Sequence, residues 1–199
     1  MKVVPIIQAR LGSERFPGKV LADLGGRPMI DRVVDCVRRA WSGPVVVAIP
    51  RGDDRLATHL RRLQVCVFRG VELCVLDRMY RAARAWKAEA ILRVNADCPM
   101  LNPAALRRDI QAVTGGFAYS AHALPNGVPA LLTKRGVTAE AFTFDLLERQ
   151  WKAIEHVSIA MYSGHTVNFN PIGFGDDCAV DTPEDLERVA ELWQRQEVA

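Results

Sequence analysis

Val3-Val4-Pro5-Ile6-Ile7-Gln8-Ala9-Arg10-Leu11-Gly12-Ser13-Glu14-Arg15-Phe16-Pro17-Gly18-Lys19 passes from an apolar run into a loop that gathers three cations, two glycines and a serine. The apolar run reads as a strand, and the loop follows it directly. Arg10 and Arg15 offer planar donor forks and Lys19 a mobile point charge. Gly12 and Gly18 let backbone amides approach phosphate oxygens with no Cβ in the way. Such a loop suits a polyanion. It is not a Walker A loop, because five residues separate Gly12 from Gly18 and Val20, rather than Ser or Thr, follows Lys19. A solvated strand-to-helix turn with ordinary surface Arg and Lys is the competing reading, and the rest of the chain weighs against it.

Outward from this strand, short apolar runs alternate with helical patterns. Strands are predicted over 3–8, 45–49, 65–68 and 90–94, and helices over 28–40, 53–63, 74–87 and 103–112. In the first helix Pro28 suits the first turn, Ile30, Val33, Val34 and Val37 form one stripe, and Gly43-Pro44 stops it. Repeated βα winding predicts parallel strands. After Val113 the winding breaks at Thr114-Gly115-Gly116. A strand near 117–120, a loop with Pro125, Asn126, Gly127 and Pro129, and a strand near 138–142 follow. Helices near 144–152 and 155–162, a strand near 166–170 and a last helix over 182–196 complete the pattern. The expectation is one α/β domain over residues 1–199, a three-layer αβα Rossmann-like fold with a mixed, mostly parallel sheet.

Composition limits the function classes. With 49% apolar and 25% charged residues the chain is neither disordered nor fibrous. A net charge of +3 is mild, and Arg38-Arg39, Arg61-Arg62 and Arg107-Arg108 lie on predicted helices without interleaved aromatics. They are read as solvated faces, and no nucleic-acid partner is expected. Five cysteines, Cys36, Cys66, Cys74, Cys98 and Cys178, show no metal-ligand spacing, so reduced thiols and a cytoplasmic location are expected. The N-terminal apolar run is too short for a signal peptide. No apolar stretch approaches ~18 residues, so no membrane role is expected.

In open α/β sheets ligands bind beyond the carboxyl ends of the strands. Asn95-Ala96-Asp97-Cys98-Pro99 places Asp97 at such an end, before a proline that forbids continuing a central strand. Val180-Asp181-Thr182-Pro183-Glu184-Asp185 places Asp181 just before a helix start marked by Pro183 and acidic residues. Two carboxylates facing a cationic loop are what Mg²⁺ bridged to a triphosphate requires. Each also suits a capping role, Asp97 in a turn and Asp181 or Thr182 at the last helix. Asp176 and Asp177 follow a flexible Gly173-Phe174-Gly175 turn and are weaker candidates. His156, beside Glu155, suits either a substrate or general-base role or a structural place at a helix start. Glu140 alternates within a strand so that its polar side chain can face a ligand. His59, His122 and His165 lack companions at metal spacing and are read as surface or loop residues.

Taken together, these residues resemble the cytidylyltransferases that activate acidic sugars, the acylneuraminate and ketodeoxyoctonate cytidylyltransferases, whose fold is GT-A-like. The branch most similar is that of the spore-coat polysaccharide cytidylyltransferases. The resemblance rests on Ile6 to Ser13, Arg15, Pro17-Gly18-Lys19 and Gly26-Arg27-Pro28-Met29. It extends through Val75-Leu76-Asp77-Arg78, Asp97-Cys98-Pro99, Glu155-His156-Val157-Ser158 and Val180 to Leu186. It implies that Arg10, Gly12, Ser13, Arg15 and Lys19 bind the phosphates of CTP, with Asn95 in the nucleotide site. It also implies that the backbone near Gln8 and Ala9 meets cytosine and that Asp97 and Asp181 hold Mg²⁺. Ala96 stands where a glycine usually precedes the metal aspartate, and Ala121 where this branch usually has asparagine. The stretch from His122 to Gly136 matches poorly.

The implied reaction transfers CMP from CTP to a sugar hydroxyl with release of pyrophosphate. Arg10, Lys19, Asp97 and Asp181 are then the catalytic set, and Glu140, Glu155 and His156 the sugar contacts. Two other readings stand: a GT-A glycosyltransferase, although no Asp-x-Asp triplet occurs, and a non-catalytic nucleotide-binding scaffold. Leu131 and Leu132, apolar within a loop, are expected to pack in a homodimer beside the sugar site or against their own core.

Overall fold

The structure is a computed structural model that describes residues 1–123, 139–153, 167–171 and 178–197. Seven strands form one sheet in the order β3-β2-β1-β4-β6-β5-β7. They are β1 (Val3–Gln8), β2 (Val46–Pro50), β3 (Cys66–Gly70), β4 (Ala90–Asn95), β5 (Tyr119–Ala123), β6 (Ala139–Thr143) and β7 (Val167–Pro171). The helices are α1 (Met29–Ala40), α2 (Asp54–Arg62), α3 (Val75–Ala85), α4 (Pro103–Thr114), α5 (Phe144–Ala153) and α6 (Pro183–Glu197). Leu131, Leu132, Glu155, His156, His165, Asp176, Asp177 and the helix predicted over 155–162 lie outside the described residues.

β1 to β4 pair in parallel, as the βα winding requires. The break after Val113 has a topological meaning. β6 runs antiparallel between β4 and β5, and β7 returns parallel to β5. The expected mixed, mostly parallel sheet is therefore observed, with β6 as its reversed member.

Helices cover both sheet faces. Along β1, Val3 and Ile7 face one helix layer and Val4 and Ile6 the other, the period-two alternation of a strand. The first layer uses the stripe Ile30, Val33, Val34 and Val37 of α1 with Leu56 and Leu60 of α2 and Leu106 of α4. The second uses Leu76 and Met79 of α3 with Leu146 and Leu147 of α5. Burying each such aliphatic side chain stabilises the fold by roughly 1.5–3 kcal/mol. A third cluster ties Val180 and Val189 to Leu24 and Met29, so α6 docks beside the segment that follows β1. Its consequence is to bring Asp181 next to Lys19.

His59 differs from expectation. It is half-buried on α2, its Nε2 2.6 Å from Oδ1 of Asp31, because α2 packs on the same sheet face as α1. The five cysteines carry thiols rather than disulfides, and burial pushes the Cys36 thiol up to about 11. Among the described residues no helix is long and apolar enough to cross a membrane.

Candidate active site

The carboxyl ends of β1 and β4 open into a cleft of about 580 Å³, lined by Gln8, Arg10, Arg15, Lys19, Asp97 and Asp181 among others. Ala9, Ser13 and Asn95 line it too. The loop from Arg10 to Lys19 is held in shape by its own backbone. The amides of Ser13 and Gly18 both donate to the carbonyl of Leu11, and Ser13 Oγ accepts from the amide of Phe16 at 3.4 Å. Gly18, at φ +75°, makes the turn into a short 3₁₀ segment, Lys19–Leu21, a conformation that a side chain disfavours. Its amide is thus occupied by Leu11 rather than offered to a phosphate, which corrects one part of the sequence reading. A Cβ at Gly12 would lie 3.3 Å from Oε1 of Glu72.

Lys19 organises the centre. Its Nζ donates to Asp97 Oδ2 at 2.8 Å, Asp181 Oδ1 at 2.9 Å and the carbonyl of Val180 at 2.7 Å. Burial alone would lower the pKa of this ammonium, but Asp97 and Asp181 outweigh it and hold the value above the ordinary one. Arg15, at 2.9 Å, takes the other oxygen of Asp181. The two carboxylates are positioned by separate devices. Asp97 follows β4, and its carbonyl accepts from the amide of Val180 at 3.0 Å, tying the two segments. Asp181 is fixed by the start of α6, a reciprocal cap in which Asp185 Oδ2 accepts from the amides of Asp181 and Thr182 while Thr182 Oγ1 accepts from the amide of Asp185. Thr182 therefore caps the helix, and the Asp181 carboxylate is left for the cleft.

Asp97 and Asp181 are 30% and 34% exposed, and each aims an oxygen at the Lys19 ammonium. Two hard carboxylates beside space for phosphate fit Mg²⁺, which prefers one or two carboxylates and keeps several waters. Among the described residues no group of three or more His, Cys, Asp or Glu gathers, so no all-protein cage for a softer metal is offered there.

Two residues in the site went unassigned from sequence. Arg78, buried on α3, donates to the carbonyls of Val71 and Glu72 at 2.6 and 3.1 Å and lines the cleft. Burial, then the charge of Arg10, lowers its pKa, yet a guanidinium stays charged. The signal available for it was a cation in the first turn of a helix, where the dipole disfavours one. Asp53 lies in the turn after β2, and its Oδ2 accepts from the amide of Leu11 at 2.8 Å, anchoring the cationic loop. Its position beyond a strand end was the available sign. Glu140 faces a polar partner as the alternation suggested, but that partner is Arg93, at 2.8 Å within the sheet.

A cytidylyltransferase family model matches residues 4–155 of this sequence. The chain belongs to the cytidylyltransferase family. As a cytidylyltransferase it is a nucleotidyltransferase enzyme. It is 32% identical to the spore coat polysaccharide biosynthesis protein SpsF of Bacillus subtilis, over 96% of this chain and 85% of that protein. It is 30% identical to the 3-deoxy-manno-octulosonate cytidylyltransferase of Anaeromyxobacter dehalogenans, over 96% of this chain and 97% of that enzyme. Its fold matches that of a CMP:2-keto-3-deoxy-manno-octonic acid synthetase solved with CTP, at a TM-score of 0.83 and 20% identity, covering 98% of this chain and 100% of that one.

Proposed function

We propose that this cytidylyltransferase transfers CMP from CTP to a hydroxyl of an acidic or related bacterial surface sugar, releasing pyrophosphate, with Mg²⁺ as cofactor. The observation that carries the reading is the convergence of Asp97 and Asp181 on Lys19 in a cleft that also holds Arg10, Arg15 and Arg78. Four cations line this open cleft together with four carboxylates, Glu14, Glu72, Asp97 and Asp181; with Asp97 and Asp181 given to a metal, the cations suit a triphosphate at strand ends.

In this reading Asp97 and Asp181 hold Mg²⁺, which supplies charge neutralisation at the phosphates when bound. Arg10, Arg15 and Lys19 take up charge on the departing pyrophosphate, and Ser13 and the backbone beside Gly12 border the phosphate chain. Gln8, Ala9 and Asn95 line the nucleoside end of the cleft. Glu155 and His156 are kept as sugar contacts, and Glu140 acts through Arg93. Lys19 balances both carboxylates in the free protein, and its ammonium turns to phosphate oxygens when the substrate and metal take the carboxylates. A cytoplasmic homodimer, with Leu131 and Leu132 at its interface, belongs to the same proposal.

The test is a pyrophosphate-release screen that crosses CTP, UTP, ATP and GTP with acidic and neutral sugars, with and without Mg²⁺. Turnover with CTP and an acidic sugar, abolished by chelation, is the expected result. Release with no nucleotide and sugar pair, from a folded protein that binds CTP, would favour a non-catalytic scaffold instead.

A further inference from the structure

Arg93 is a cation inside the sheet, behind the cleft floor. It sits on β4 in register with Glu140 of β6, and the two side chains are 7% and 1% exposed. Beyond the bond to Glu140, its Nε donates to Oε1 of Gln8 at 3.2 Å and its Nη2 to Oδ1 of Asn95 at 3.3 Å. Strand alternation puts these groups on one face: Gln8 pairs with Asn95, and Arg93 lies two residues before it.

A guanidinium has donors and no acceptor. Any carboxamide that faces it must present oxygen, so its NH₂ points elsewhere. For Gln8, which lines the cleft, this removes the usual freedom of an amide to exchange its two ends. Glu140 completes the device, because a charge this deeply buried must be paired to hold its position.

We infer that Arg93, locked by Glu140, is a positioning residue for nucleobase selection: it holds Gln8 with the amide NH₂ toward N3 of the base. At N3 cytosine offers a lone pair, whereas uracil carries a proton and would set donor against donor; O2 accepts in both bases and does not discriminate. A site with a fixed donor rejects the base that cannot accept it, because one polar group is left unpaired. The inference rests on the reading that a pyrimidine nucleotide occupies the cleft.

The experiment measures the Kd of CTP and of UTP, each with Mg²⁺, by calorimetry, so no sugar is needed. Gln8→Glu keeps the size and the oxygen that faces Arg93 but replaces the NH₂ with an acceptor. The added charge weakens both triphosphates alike, so the ratio of the two affinities isolates the base edge. The preference for CTP over UTP should fall at least about 10-fold. Removing the pair together, Arg93→Met with Glu140→Met, spares a lone buried charge and should lower the same preference while UTP affinity stays within about 3-fold. If that variant does not fold, Glu140→Asp draws the guanidinium toward β6 and should lower the preference by a smaller factor. An unchanged ratio in Gln8→Glu, or a parent protein with no preference between the two nucleotides, overturns this inference alone. A parent that binds neither nucleotide overturns the nucleotide reading with it.

Discussion

Two ion clusters in this chain use the same chemistry in different surroundings. Lys19 meets Asp97 and Asp181 at 2.8 and 2.9 Å, and Arg93 meets Glu140 at 2.8 Å. The first pair of carboxylates remains about one-third exposed, while Glu140 is sealed within the sheet. Accessible charges can exchange partners, since water supports each ion while the other leaves. Sealed charges cannot, because either one alone is strongly disfavoured. The exposed carboxylates of the cleft cluster are therefore suited to take a new partner, and the sheet cluster to stay fixed beneath them.

The largest expected effect comes from breaking the sealed pair. Glu140→Ala should cost about 3–5 kcal/mol by stranding Arg93 and lower the melting temperature by roughly 10 °C in calorimetry. Asp97→Ala leaves Lys19 its bond to Asp181 and should shift stability by less than about 1 kcal/mol. Equal losses in the two variants would erase the distinction.

Activity should show the reverse order. Asp97→Asn and Asp181→Asn should each reduce pyrophosphate release by roughly 10²-fold, about 2.7 kcal/mol in the barrier, with unfolding little changed. Near-parental turnover under saturating Mg²⁺ would remove these residues from the metal site.

Arg15 sharpens the comparison within the cleft, because its side chain is 66% exposed and partly screened. Arg15→Ala should weaken CTP binding about 10-fold and cytidine binding hardly at all, since only the triphosphate meets that cation. Titration calorimetry with both ligands distinguishes this from a general loss of the fold.

The smallest effect concerns the cap that aims Asp181. Burial would raise the Asp185 pKa, but Arg188 and the amides of Asp181 and Thr182 outweigh it and hold it below the ordinary value. A depressed folded pKa means that the contribution is present above the unfolded value and is lost as pH falls through the folded one. Asp185→Asn should therefore cost about 1 kcal/mol near pH 7, and the gap from the parent should narrow below about pH 4. A gap in urea unfolding that persists undiminished at the acid end of the titration would contradict the charge-based account.

Local chemistry carried much of the site. Asp97 and Asp181 were legible because a strand end followed by proline and a helix start after an acid are short-range signals. The cationic loop was legible for the same reason. Arg78 and Asp53 were harder, because each looks like an ordinary residue of its own helix or turn; Arg78 braces the segment just before its helix, and Asp53 anchors a loop 42 positions away. The pairing of Arg93 with Glu140 was not legible at all. Alternation gave Glu140 a polar-facing side but no partner, since nothing local says that β6 lies antiparallel beside β4.

By itself, then, the sequence determined the elements, their alternation, the cationic loop and the two carboxylates, one at the end of β4 and one before the last helix, because helix periodicity, turn chemistry and caps act over a few residues. The tertiary structure alone decided that Lys19 lies between Asp97 and Asp181, that Asp53 anchors Leu11, and that Arg93 reaches Gln8, Asn95 and Glu140. Those contacts join residues 42 to 162 positions apart, with the Arg93 to Asn95 bond the local exception. They depend on strand order and on the docking of α6, which the burial of both sheet faces selects over the whole chain rather than any segment of it.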